Sequence, residues 1–207
     1  MFLILETSST RFPPRRPEQP IFYPVLNQEY AEQIASQWNA TSAQSGYAGF
    51  VTAFEIETSY VAHFKAHTVG SSQHRELWIP AEELEDFNQH LVGPIRLLNA
   101  YYGDRYAGPT PQPTMLKGRT AQEQLPLLES ILDYNGMDFI LEVLVQRLVV
   151  QLNFAYWVRT DFTVLDLPLG RKLTILRAVC QVLRDHHPEV VLLGSDELDA
   201  LADEGER

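Results

Sequence analysis

Between Ser72 and Leu84 the apolar and polar positions change period. Up to Ile79 they alternate: His74, Glu76 and Trp78 fall on one face, and Arg75, Leu77 and Ile79 on the other. That is the period of a strand. Pro80 suits the first position of a helix, Glu82 and Glu83 suit its first turn, and Leu84 and Phe87 carry the apolar face on. Gly93 and Pro94 stop that helix. Upstream, Asn27 caps a helix over 28–39 with Tyr30, Ile34 and Trp38 as its stripe. The pattern predicts a strand over 47–57, with Phe50, Phe54 and Ile56 facing the core. A closing strand follows over 93–102. Residues 10–26 hold five prolines, so this segment is extended, with a short edge strand over 21–26.

Beyond residue 103 the texture changes. Residues 104–121 are rich in Gly, Pro and Thr and read as a linker. Thr120 caps a helix to Tyr134 with Leu125, Leu128, Ile131 and Leu132 on its stripe. Asp138 caps a second helix through about Val158. The alternation of Leu148, Val150, Leu152, Phe154 and Tyr156 keeps a strand open there, but the length of run without a turn signal points to helix. Pro168 opens a third helix to about His187. Residues 189–193 read as a short strand or an apolar tie. The expected fold class is α+β: an N-terminal domain (1–103) with a mixed sheet and helices, a mainly helical domain (122–194), and an acidic tail (195–207).

The chain has 207 residues and a formal net charge of −11. That acidity argues against nucleic-acid partners, although Arg11, Arg15 and Arg16 form a local basic patch. A lone cysteine, Cys180, permits no internal disulfide, reads as a core residue and points to the cytosol. The first five residues are too short for a signal peptide. The apolar run 139–158 carries Glu142, Gln146, Arg147, Gln151 and Asn153, so it reads as core and not as a membrane span.

The candidate chemistry centres on Glu76. With His74 on the same strand face it makes an acid–base pair, or equally an exposed cross-strand pair. Trp78 continues that face as a stacking surface or as core. Arg11 and Arg15, held amid prolines, can clamp an anion. Tyr23 and Tyr47 are candidates for an aromatic wall. His63 and His67 are spaced for a metal if helical, but no local ligand completes the set. The triplet Asp185-His186-His187 lacks the further aspartates of a metal centre. Phosphate-binding glycine loops, dinucleotide fingerprints, nucleophile elbows and paired Cys-x-x-Cys motifs are absent from the sequence.

Three stretches carry a resemblance. They are Arg11-Phe-Pro-Pro-Arg15, residues 17–27, and His74-x-Glu76-x-Trp78 with its continuation to Ile95. Together, over about residues 8–103, they resemble small bacterial proteins labelled "ADP-ribosylation/crystallin J1". The element order is similar to that of an ADP-ribosyltransferase domain. The resemblance implies NAD as cofactor, with Glu76 stabilising the ribose oxocarbenium ion and His74 orienting the acceptor or Glu76. It implies Tyr23, Tyr47 and Trp78 as the aromatic wall and Arg11 or Arg15 as the pyrophosphate grip. Such domains begin with a strand carrying an arginine or histidine, and this chain begins Met-Phe-Leu-Ile-Leu-Glu. The alternative is a non-catalytic interaction module on a degenerate transferase fold, with the helical half binding a protein partner.

Overall fold

A computed structural model describes residues 1–205. The fold is α+β, and the chain divides into two compact units, Met1–Asp104 and a second that begins at Arg105.

The first unit opens with a helix, α1 (Phe2–Glu6), where the resemblance implies a strand. There follow β1 (Ile21–Phe22), α2 (Gln28–Gln33) and a wider helical turn over Ile34–Asn39 that continues α2. Asn27 caps α2, accepting from the Tyr30 N–H at 2.8 Å. Then come β2 (Ala48–Ile56), α3 (Thr58–Val61), β3 (Ala66–Thr68), β4 (Arg75–Leu77), β5 (Ile79–Pro80), α4 (Leu84–Gln89) and β6 (Leu91–Tyr102).

Among the described residues the strands pair in three two-stranded antiparallel sheets: β1 with β5, β2 with β6, and β3 with β4. The mixed sheet expected for this domain is not formed among the described residues, which carry small antiparallel sheets in its place. Its would-be strands near Pro20, Pro24 and Pro80 are only two or three residues long, because proline removes ladder donors. Pro80 pairs with Ile21 in β5 and also caps a 3-10 turn over Ala81–Glu83, with Glu82 and Glu83 in it, that leads straight into α4, so the helical stretch starts one residue later than expected. Gly93 and Pro94 lie inside β6 and do not end α4. Gly93 has φ +76°, and the step from Ala53 to Glu55 on β2 spans Arg96 to Val92 on β6, an irregularity that glycine makes possible.

Phe87 anchors the core of this unit. It is fully buried, and the rings of Phe12, Phe22, Phe54, Tyr60 and Phe64 surround it with centroids 5.7–6.5 Å away. Trp38 leaves the expected stripe and is exposed, while Ala35 and Ala40 are buried. The widened turn carries more residues per revolution, which rotates Trp38 outward. The Ala35 backbone lies so close to β2 that a side chain at Gly49 would meet its carbonyl oxygen at 2.1 Å.

The second unit packs α5 (Ala121–Tyr134), α6 (Gly136–Val145), α7 (Arg147–Arg159), α8 (Leu169–His186) and α9 (Leu198–Gly205). Thr120 and Glu123 close a reciprocal cap on α5. The single helix expected from Asp138 to Val158 is two helices, capped by Asn135 and broken at Gln146. Helix α7 is buried almost all round, including Val149, Leu152, Phe154 and Trp157. A helix with no solvent face has no amphipathic period, and this is why the sequence also read as a strand.

The segment read as a linker is packed onto this unit. Leu116 is fully buried. The buried Glu142 carboxylate accepts from the Leu116 N–H at 3.1 Å and from the Thr114 hydroxyl. Gln146 exchanges two 3.0 Å hydrogen bonds with the backbone of Gln112. Residues 189–193 form no strand; Leu192 ties them to the core. The start of the acidic tail is ordered, with Leu198 buried and Glu197 paired to Arg159 at 2.6 Å. Residues 206–207 of that tail lie outside the described residues. Cys180 is partly buried, and burial pushes its thiol pKa up. Among the described residues no single helix is long and apolar enough to cross a membrane; α6 and α7 pass only as a pair, bent by 99°.

Candidate functional site

Gly70, at φ +78°, turns the chain between β3 and β4 and brings His67 opposite Glu76. On its other side Glu76 bridges Val25, so its backbone is paired on both sides, and the residue is 9% exposed. Its Oε1 accepts from the Trp78 indole N–H at 2.8 Å. The Trp78 ring stacks on His67, with centroids 4.2 Å apart and planes 14° off parallel. Tyr23 meets Trp78 edge to face at 6.0 Å, and both aromatic rings keep an exposed part.

His74 turns to α2. Its ring stacks on Tyr30 at 4.2 Å, and its Nε2 lies 3.0 Å from the Gln33 Oε1. Burial, and then the negative charge of Glu76, push the Tyr30 phenol pKa above its ordinary value. Glu76, His74, Trp78 and Tyr23 are thus brought into one cluster, joined by Tyr30, Gln33 and His67. These last three were missed as site residues. His67 was legible from hairpin register, since the Gly70 turn sets it across from Glu76. Tyr30 was counted only as helix stripe.

The arginines behave differently from each other. Arg11 forms an ion pair with Glu85 on α4. Arg15 bonds only the backbone carbonyl and side-chain oxygen of Gln19, each at 3.3 Å, and makes no ion pair among the described residues. Arg15 and Tyr23 both line an open cleft of about 520 Å³. Tyr47 sits at the start of β2 with φ +58°, where its carbonyl accepts from the Gly103 N–H at 2.9 Å.

His63 follows α3, with Nδ1 2.8 Å from the Tyr60 carbonyl, whereas His67 is in β3, so the two do not share a helix face. His187 pairs with Glu189 at 3.1 Å. Among the described residues no group of three or more His, Cys, Asp or Glu side chains is placed to hold a metal ion.

Chemically, the Glu76 cluster is a set of mutual contacts. The carboxylate's Oε1 is engaged by an indole, the indole's ring by an imidazole, and the second imidazole by a phenol and an amide. No protein-family model matches the chain, and no curated protein or solved structure matches it either.

Proposed function

We propose that this chain is a protein-interaction module in which the helical unit docks an amphipathic helix of a partner protein on α6. The observation that carries this reading is the apolar stripe of α6. Met137, Leu141 and Val145 follow one another at four-residue spacing and are 62%, 53% and 52% exposed, with Tyr134 beside them at 87%. Three large apolar side chains left in water on one face of α6, with the exposed Tyr134 at the end of α5 just before it in sequence, make an apolar stripe of the kind that marks interaction sites. Asp138 stands in the first turn of α6 and the whole chain carries a net charge of −11, which suits a partner helix with basic flanks. The test is titration of a labelled 18-residue Leu/Lys amphipathic helix into the full chain and into Leu141→Glu. Saturable binding that the variant loses supports the reading. Equal binding to both proteins, or self-association of the chain through this face in light scattering, counts against it.

In this reading the Glu76 cluster holds the first unit together. The bond from Trp78 to Glu76 and the stack of His67 on Trp78 occupy the groups that a transferase would present to its cofactor. A second reading, transfer of ADP-ribose from NAD with Glu76 facing the oxocarbenium ion, has one observation in its favour. Glu76 is bonded by the partly exposed Trp78, whose ring is met edge to face by the partly exposed Tyr23. Its test is calorimetric titration of NAD into the full chain. Saturable heat weakened by Trp78→Ala supports this second reading, and no heat up to millimolar NAD removes it.

A further inference from the structure

We infer that the cleft of the first unit binds a small aromatic monocarboxylate, gripped by Arg15. The cleft holds about 520 Å³, within the ordinary range of roughly 300–1,000 Å³ for small-molecule sites. Phe12, Phe22, Phe50 and Tyr23 contribute to its lining, and Ser45 adds a hydroxyl. Aromatic walls favour a flat apolar body, which packs against ring faces and edges.

Arg15 supplies the charge. It makes no ion pair among the described residues, and its two contacts to Gln19, at 3.3 Å, are long for hydrogen bonds. A planar guanidinium with weak neutral partners is a ready bidentate donor to a planar carboxylate.

The grip is built in advance. Pro13, Pro14 and Pro17 restrict the backbone around Arg15. Asn88 at the end of α4 ties both backbone groups of Phe12, accepting from its N–H at 2.8 Å and donating to its carbonyl at 3.0 Å. The Phe12 ring is packed on Phe22 with centroids 4.6 Å apart. The backbone that carries Arg15 is therefore ordered before a ligand arrives, and only its side chain has still to be fixed.

The experiment is a fluorescence titration of 2-naphthoate into the full chain, with 2-naphthalenemethanol as the neutral analogue and phenyl phosphate as competitor. Arg15→Gln should weaken naphthoate by about tenfold or more and leave the alcohol unchanged. Arg16→Gln removes the same charge from the neighbouring exposed residue and should leave naphthoate binding within about twofold, as expected for a screened surface charge. Naphthoate that fails to saturate at millimolar concentration overturns the inference. So does an Arg15→Gln variant that binds like the parent, an Arg16→Gln variant that loses as much as Arg15→Gln, or phenyl phosphate that displaces naphthoate with higher affinity.

Discussion

The Trp78 indole N–H donates to the Glu76 carboxylate across 2.8 Å, two residues away on the same strand face. The acid is buried and the donor is partly exposed, so the tryptophan covers the carboxylate. A buried charge with a lost partner is costly, whereas an acid kept for chemistry is commonly held at the expense of stability. These two roles make opposite predictions.

Glu76→Ala should destabilise the first unit by about 1.5–3 kcal/mol, the usual range for a hydrogen bond to a charged group. Glu76→Gln keeps an acceptor oxygen and should cost less. Urea unfolding followed by tryptophan fluorescence measures both. Unchanged or raised stability in Glu76→Ala would show that Glu76 is not held for packing.

A second prediction concerns Glu142. Its removal leaves the Leu116 N–H without its acceptor and the Thr114 hydroxyl with only the long 3.5 Å bond to the Gln112 carbonyl, in a region where Leu116 is fully buried. Glu142→Ala should cost roughly 1–3 kcal/mol. It should also release the 105–120 segment, so that trypsin cuts faster after Lys117 and Arg119, both exposed. Cleavage at the parent rate would mean that the segment is held by other contacts.

The third prediction is a pH dependence. The Tyr30 phenol is held above its ordinary value of 10.0, first by burial and then by Glu76. The folded state therefore favours the neutral phenol. Its stabilising contribution is complete below pH 10 and is lost as pH rises through the folded-state value. Tyr30→Phe should lose stability less steeply than the parent above pH 10, in urea midpoints taken across that range. Parallel curves would contradict it.

Local patterns made much of this architecture legible. The caps at Asn27 and Thr120, the Leu125–Leu128–Ile131 stripe and the long β2 and β6 strands follow from spacing that solvent exposure enforces. Misreadings came where that enforcement lapses. Helix α7 has no wet face, so Val150, Leu152 and Phe154 carry no period to read. The 104–121 segment has linker composition, but its tethers are Glu142 and Gln146, more than two dozen residues away, and only tertiary contact reveals them. Trp38 was displaced by a widened turn that no residue type announces.

At the candidate site, the sequence placed Glu76 and Trp78 on one face, and they do meet. It could not tell that they would bond each other, or that His74 would turn to Tyr30 and Gln33. The exposed stripe of α6 was missed because Met137, Leu141 and Val145 look like core when only hydrophobicity is read.

The most direct measurement is the binding of a fluorescein-labelled 18-residue Leu/Lys helix to the full chain and to its Leu141→Glu variant, followed by anisotropy at physiological salt. The predicted result is saturable micromolar binding to the parent, weakened by about tenfold or more in the variant, because a buried unpaired carboxylate replaces an apolar anchor. The variant is more acidic than the parent, so simple charge attraction would strengthen binding of a cationic helix. Equal or tighter binding to Leu141→Glu would therefore contradict the assignment of α6 as the docking face.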